Sequence, residues 1–178
     1  DMGLFTIYGT YDIVQEAVYT PFLTTNYDAF EEVYGRDGFL YKALDESQAN
    51  VGVKLLGFFN TGFNGIGAQT LPTEDFATLN DASEKDVLLR VPPILAYQRT
   101  VEAMNYRTTS IPYADLYTAM QTGVCDGWLG GTAELNYVGF RDVIKYLYVV
   151  NQQMENNSGI VNSDAFNALP AEYQTALV

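Results

Sequence analysis

Short apolar runs alternate with segments of helical spacing along the whole 178-residue chain, and this alternation restricts the fold more than any other feature. The first run, at 2–7, has no helix breaker and is expected to be a buried strand. Residues 113–121 show a clear helical pattern, and Gly123 is expected to end that helix. Strands that alternate with helices predict an α/β fold with mainly parallel sheets. The predicted strands are 2–7, 51–59, 87–91, 108–111, 124–127, 143–150 and 159–162.

Changes in composition indicate where the chain passes from one lobe to another. The segment 60–67 carries three glycines, which predicts a loop or a strand crossover there rather than the interior of an element. The composition changes near 65–70 and again at 151–158, and two such crossings are typical of a hinged two-lobe binding protein. Between them, the polar stretch after Leu71 is expected to contain one short helical turn capped by Thr73 or Asp75.

Charge and residue content exclude several classes of function. The net charge of -13 argues against nucleic acid and anionic membrane surfaces as partners. The chain has no His, which removes Ser-His-Asp and Cys-His catalysis and most zinc sites. Cys125 is the only cysteine, so it forms no intrachain disulfide and is expected to be a small buried apolar residue. We therefore predict no catalytic site, no cofactor and no metal.

Further sequence features concern membrane spans, the extent of the chain and one alternative class of protein. No apolar run approaches the length needed to span a membrane. The chain begins at Asp1 on a predicted strand, which suggests a piece of a longer protein. A small α/β hydrolase is a poor alternative, because the chain has neither His nor a G-x-S-x-G motif.

The net negative charge of this chain repels anions, so a bound anion must be held by a cationic side chain close to it. The position of each arginine is therefore informative about anion binding. Arg90 lies at the end of a predicted strand, directly before Val91, Pro92 and Pro93. Its planar guanidinium matches a carboxylate with two parallel hydrogen bonds, and the crevice beyond the strand ends is where α/β sheets bind ligands. From the residues alone, a ligand clamp and an ordinary salt bridge are equally good interpretations.

A series of motifs in a fixed order links the chain to a known family. The motifs are GVKLL at 52–56, LRVP at 89–92, SIPYADLY at 110–117, AMQTGVCDG at 119–127, VIKYL at 143–147 and ALP at 168–170. Together they resemble the DctP-type solute-binding proteins of TRAP (tripartite ATP-independent periplasmic) transporters. The resemblance covers nearly all of the chain and is looser over 1–27.

The resemblance implies an architecture and a role. It implies a two-lobed, type II-like periplasmic binding protein with hinge strands, whose first lobe is incomplete in this chain. Residues 1–66 and 157–178 would belong to lobe I and residues 67–156 to lobe II. Such a protein would capture a small organic acid in the interlobe cleft, in the periplasm, and deliver it to TRAP membrane permease subunits. The alternative is the ligand-binding domain of a periplasmic sensor that uses the same fold.

The resemblance also suggests which residues meet the ligand. Arg90 stands at the family's carboxylate-clamping arginine. Asn64 stands where sialic-acid-binding members have a second arginine, so a monocarboxylate is favoured over a dicarboxylate; the alternative is an ordinary turn Asn beside a glycine.

Aromatic residues supply the remaining candidates, and for each of them core packing is the competing interpretation. Trp128 and Gly130 depart from the family's D-G-x-E-N pattern: Gly130 offers no side chain, and Trp128 could stack on the solute. Tyr113 occupies an aromatic position next to the family's site. Tyr8 and Tyr11 follow the first strand and would face the cleft from lobe I.

Overall fold

The computed structural model describes residues 1–7, 9–71 and 85–178, and these form two compact units. Unit 1 comprises Asp1–Gly62 and Asn156–Val178, and unit 2 comprises Phe63–Glu155. The predicted helical turn at Thr73 or Asp75 lies outside the described residues. The lobe assignment of 1–66, 67–156 and 157–178 stays a prediction.

Unit 1 combines one edge of the sheet order with short helices. Its elements are β1 (Met2–Phe5), a 3-10 helix (Ile13–Tyr19), α1 (Asp28–Tyr34), α2 (Phe39–Ala49), the first part of β2 (Val53–Ala68), the later part of β7 (Met154–Asn162), α6 (Ser163–Asn167) and α7 (Ala171–Leu177). Its strands follow the order β1-β7-β2, and β1 runs antiparallel to β7.

The first strand forms where the sequence predicts it, but the prediction that it is buried is wrong. Leu4 is 63% exposed, and Met2 and Phe5 are exposed as well. The reason is positional: β1 stands at the end of the strand order, where it pairs with β7. An apolar run without breakers indicates a strand, but it does not specify how many neighbours cover that strand.

Unit 2 holds the parallel part of the sheet. Its elements are the second part of β2, β3 (Lys85–Val91), α3 (Leu95–Ala103), β4 (Tyr106–Ser110), α4 (Tyr113–Gln121), β5 (Gly127–Thr132), α5 (Ala133–Phe140) and β6 (Tyr146–Tyr148). Its strands follow the order β2-β5-β3-β4, with β6 also paired to β2. The central strand β3 runs parallel to β4 and β5, whereas β2 runs antiparallel to β5 and β6. The predicted α/β class with a parallel sheet is thus confirmed.

The glycine-rich segment 60–67 continues strand β2 and is not a loop. A Cβ at Gly65 would lie 2.6 Å from the carbonyl oxygen of Tyr148, and a Cβ at Gly67 would collide with Asn136 Oδ1. These glycines therefore allow close approach of neighbouring groups rather than a turn. The prediction that this segment is not the interior of an element is therefore wrong.

The prediction of a strand at 124–127 is wrong, because β5 begins at Gly127 and runs through Gly130 and Gly131 to Thr132. Gly130 has φ 141° and Gly131 has φ 66°, conformations that L side chains rarely adopt. A Cβ at Gly130 would also lie only 2.8 Å from the Trp128 ring. The glycine pair thus makes room for the indole within the strand.

The core of unit 2 lies between α4, β5 and α5. Cys125 is buried there, as predicted, beside Trp128, Leu116, Met120 and Phe140. Among the described residues, no helix has the length and apolar character required to cross a membrane.

Candidate ligand-binding site

Arg90 is a buried cation near the carboxyl end of β3. Parallel pairing places it opposite Trp128 of β5 on one side and Thr109 of β4 on the other. Its Nε donates a hydrogen bond of 2.6 Å to the carbonyl oxygen of Ile111, and its guanidinium carbon lies 6.0 Å from the Trp128 ring centroid. Backbone and ring together fix the orientation of the guanidinium plane, which is what a bidentate carboxylate site requires.

Two aromatic residues lie beside this arginine. Tyr113 opens helix α4, is 57% exposed, and has its ring centroid 6.0 Å from that of Trp128. Trp128 is buried against Phe140, and its indole N–H donates to Asn136 Oδ1 at 2.9 Å. Trp128 therefore packs in the core, and its stacking on a solute stays a prediction.

Asn64 is fully buried within β2, so the interpretation as a turn residue is wrong. Its Nδ2 donates to the Tyr97 hydroxyl at 3.2 Å, and its Oδ1 accepts a hydrogen bond of 2.9 Å from Gln152 Nε2. Its backbone N–H donates to the carbonyl oxygen of Gln153 at 3.0 Å. Asn64 is thus the centre of a buried polar network.

The charges of Arg90 and Glu155 act on the same two tyrosines. Burial raises the pKa of the Tyr97 phenol and Glu155 raises it further, whereas Asn64, Arg90 and the Gln153 side chain oppose the shift. Burial likewise raises the pKa of Tyr113, with the same opposite contributions from Glu155 and Arg90. Burial also raises the pKa of Glu155 itself, against a hydrogen bond from the Gly131 backbone N–H. We call Arg90, Tyr97, Tyr113 and Glu155 the charged cluster.

The predicted site residues divide between the two units. Unit 2 contains Arg90, Asn64, Trp128, Tyr113 and Gly130. In that unit, Gly130 lies on β5 against the Trp128 ring.

The two remaining candidates were predicted to contribute from the other lobe. Tyr11 belongs to unit 1 and is 79% exposed. Tyr8 lies outside the described residues. The roles proposed for all seven residues stay predictions.

Four neighbours of these residues are not predicted from the sequence: Tyr97, Gln152, Gln153 and Glu155. The last three fall in the polar segment 151–158, which was identified only as a lobe boundary. The available signal was the run of amides and a carboxylate directly after an apolar strand, but a polar run usually indicates solvent exposure. Here Gln152 and Gln153 are buried instead.

Metal binding finds no support in the described ranges 1–7, 9–71 and 85–178. Within them, no group of three or more Cys, Asp or Glu side chains could hold a metal ion.

Comparison with known proteins gives one family. The model of the family described as "Bacterial extracellular solute-binding protein, family 7" (DctP) matches residues 3–178. The C4-dicarboxylate-binding periplasmic protein DctP of Rhodobacter capsulatus is 25% identical over 159 residues, which is 88% of this chain and 45% of that protein. The chain spans about half the length of the curated relatives it matches.

Solved structures show the same fold. DctP6, an extracytoplasmic solute receptor of Bordetella pertussis that binds pyroglutamic acid, is 26% identical with a TM-score of 0.78, over 99% of this chain and 55% of that one. A TRAP periplasmic solute-binding protein from Sulfitobacter sp. NAS-14.1 with bound β-D-galacturonate is 21% identical with a TM-score of 0.84, over 99% of this chain and 57% of that one.

These matches confirm the resemblance seen in the sequence motifs. The family and its structural neighbours are solute-binding proteins rather than enzymes, which also confirms the prediction of a non-enzymatic chain. The match over residues 3–178 shows that the chain belongs to the DctP family of bacterial extracellular solute-binding proteins.

Proposed function

We propose that this protein is the periplasmic solute-binding component of a TRAP transporter, and that Arg90 clamps the carboxylate of a small organic acid for delivery to the membrane permease. One observation carries the proposal: Arg90 is a buried guanidinium oriented by the Ile111 carbonyl. A planar guanidinium matches a carboxylate with two parallel hydrogen bonds, and charge-assisted bonds of this kind are among the stronger ones in proteins.

A monocarboxylate suits the surroundings of Arg90 better than a dicarboxylate. Asn64 contributes a neutral amide, and among the described contacts of Asn64, Trp128 and Tyr113 the only cation is Arg90. A second ligand carboxylate beside these tyrosines would also be repelled by ionised Glu155, which raises the pKa of both Tyr97 and Tyr113. The relatives include a protein named for C4-dicarboxylates and a receptor that binds pyroglutamic acid. We therefore propose the preference for a monocarboxylate for this chain alone and not for its family.

Family membership supports the rest of the proposal. The relative from Rhodobacter capsulatus is a periplasmic protein, and the structural neighbours are TRAP solute-binding proteins. We extend the periplasmic location, the permease partner and the lobes 1–66 with 157–178 and 67–156 to this protein on that basis. The sensor alternative requires transmembrane and kinase segments in the same gene, which the gene sequence would reveal.

The test is a thermal-shift screen of the full-length protein. The panel contains mono- and dicarboxylates, sugar acids, keto acids and aromatic acids, with neutral solutes for comparison. A ligand at 100 times its Kd stabilises the native state by about 2.7 kcal/mol. We expect a shift with one class of acid that Arg90→Ala abolishes and Arg90→Lys weakens, since Lys keeps the charge but loses the bidentate geometry.

Arg99→Ala is the matched control, because Arg99 is exposed and paired with Glu102 on helix α3. That variant should keep the full ligand shift. A shift with neutral solutes and none with acids would refute the carboxylate clamp. Turnover of a bound acid that disappears in Arg90→Ala would instead identify an enzyme.

A further inference from the structure

Two glutamines beside Asn64 present buried polar atoms. Gln152 is 3% exposed and Gln153 is 4% exposed. Gln152 Oε1 and Gln153 Nε2 are both buried and make no hydrogen bond of good geometry, although the Gln153 side chain lies close enough to the Tyr97 hydroxyl to lower the pKa of that phenol. A buried donor or acceptor left unsatisfied is unfavourable, so native proteins rarely keep one without a reason.

The hydrogen bonds around Asn64 set the direction in which these amides face. Gln152 donates from Nε2 to Asn64 Oδ1, and Asn64 donates from Nδ2 to the Tyr97 hydroxyl. Because the Gln152 amide nitrogen is used in this chain of donors, its carbonyl oxygen is the acceptor that remains. Gln153 is held alongside, since its backbone carbonyl accepts from the Asn64 N–H.

This chain of hydrogen bonds ends at the charged cluster. Tyr97 accepts from Asn64 and lies within electrostatic range of both Arg90 and Glu155. The two amides are therefore connected to the proposed carboxylate clamp through Asn64 and Tyr97. A ligand held by Arg90 would have an acceptor, Gln152 Oε1, and a donor, Gln153 Nε2, in the same polar network.

We propose that Gln152 and Gln153 form a polar subsite that selects carboxylic acids bearing a hydroxyl group over the same acids without one. A hydroxyl donates one hydrogen bond and accepts others, so it complements a carbonyl oxygen and an amide N–H together. A methylene in its place would leave both amide atoms unsatisfied. The subsite rests on the proposed function, because it requires an acid bound at Arg90.

The test compares matched pairs of acids on the full-length protein by isothermal titration calorimetry. The pairs have two to six carbons and differ only in hydroxylation, from acetate and glycolate through propionate and lactate to hexanoate and gluconate. Sites built to bind a hydroxyl discriminate strongly against analogues that lack it. We expect the hydroxy acid of at least one pair to bind about tenfold more tightly or better.

Variants separate the subsite from the clamp. Gln152→Met and Gln153→Met keep the side-chain length but remove the hydrogen-bonding atoms. We expect each to reduce the preference for the hydroxy acid over the plain acid to about threefold or less, because the amide atoms that would bind the hydroxyl are lost. Gln121→Met, at an exposed position on α4, is the matched control and should keep the wild-type preference.

The outcomes distinguish the two proposals. If no acid binds, or if binding survives Arg90→Ala, the proposed function fails and the subsite fails with it. If acids bind through Arg90 but both members of every pair bind equally well to the wild type, only the subsite is overturned. That wild-type comparison also decides the question if a Met variant does not fold.

Discussion

Glu155 illustrates how much the surroundings of a single residue change its chemistry. Its carboxyl group is partly buried, and burial raises its pKa despite the hydrogen bond from the Gly131 backbone. A raised folded-state pKa means that the native state binds the proton more tightly than the unfolded chain does. Ionised Glu155 therefore destabilises the ligand-free protein, and this cost appears as pH rises from the unfolded pKa through the folded one.

Replacing Glu155 by Gln should remove that cost, because Gln is neutral and its Oε1 can still accept from the Gly131 N–H. We expect Glu155→Gln to raise the melting temperature of the ligand-free protein by a few degrees at pH 7.5, corresponding to about 1 kcal/mol. Near pH 4 the variant and wild type should melt together. Thermal melts between pH 4 and pH 8 measure the difference.

Glu46→Gln is the control for this experiment, since Glu46 is an exposed position on α2. It should show no comparable pH-dependent gain. A Glu155→Gln variant that is less stable than wild type at pH 7.5 would contradict the argument, because it would mean that the charge of Glu155 stabilises the fold.

Arg90 can be predicted as a site residue from the sequence, whereas the polar network around Asn64 cannot. Arg90 stands out because a lone cation at a strand end before two prolines is unusual in an acidic chain, and the family motif adds to this. The polar network has no such local signal. Tyr97 follows Asn64 by 33 positions in the sequence, and Gln152 follows it by 88. Only the folded arrangement, with Asn64 on β2 and Tyr97 on α3, brings the three side chains together.

At the scale of elements, glycine is the residue whose position in the sequence least specifies the structure around it. Helix α4 was predicted with its observed bounds, because Pro112 precedes its first residue and Gly123 follows its end with φ 74°. Strands β2 and β5 were misjudged because glycines inside a strand resemble turn signals. In β2 the glycines accommodate neighbouring groups, and Gly67 lies under the hydrogen bond between Trp128 and Asn136.

Gly67→Ala tests this explanation. A Cβ at position 67 would collide with Asn136 Oδ1 and lie 3.1 Å from Trp128 Nε1, so the buried hydrogen bond between those atoms must shift. We expect the free energy of unfolding to fall by about 2 kcal/mol, the cost typical of overpacking in a core. Urea unfolding of the full-length protein, followed by the fluorescence of Trp128, measures it.

Gly139→Ala provides the opposite case within the same unit. Gly139 is exposed on α5, and a Cβ there would meet nothing within 4 Å. The substitution should stabilise the protein by up to about 1 kcal/mol through helix propensity. Equal effects of the two substitutions would show that close approach is not what requires glycine at position 67.

At the scale of the whole molecule, the family was predictable because the order of several weak motifs is specific even where no single motif is. The division of the chain has a different basis. Unit 2 is one continuous segment, Phe63–Glu155, whereas unit 1 joins Asp1–Gly62 to Asn156–Val178. Both unit boundaries fall inside strands, β2 and β7, so composition alone could place them only approximately.

The continuity of unit 2 predicts that it folds by itself. A fragment of residues 63–155 keeps the parallel sheet of β3, β4 and β5 and the core around Trp128, and a compact unit with its own core can fold independently. We expect a cooperative thermal transition with a red shift of Trp128 emission as the indole leaves the core. A fragment of residues 1–62 should show no such transition by circular dichroism, because β1 loses its partner β7. A 63–155 fragment that melts without cooperativity would mean that unit 2 depends on the remainder of the protein for its stability.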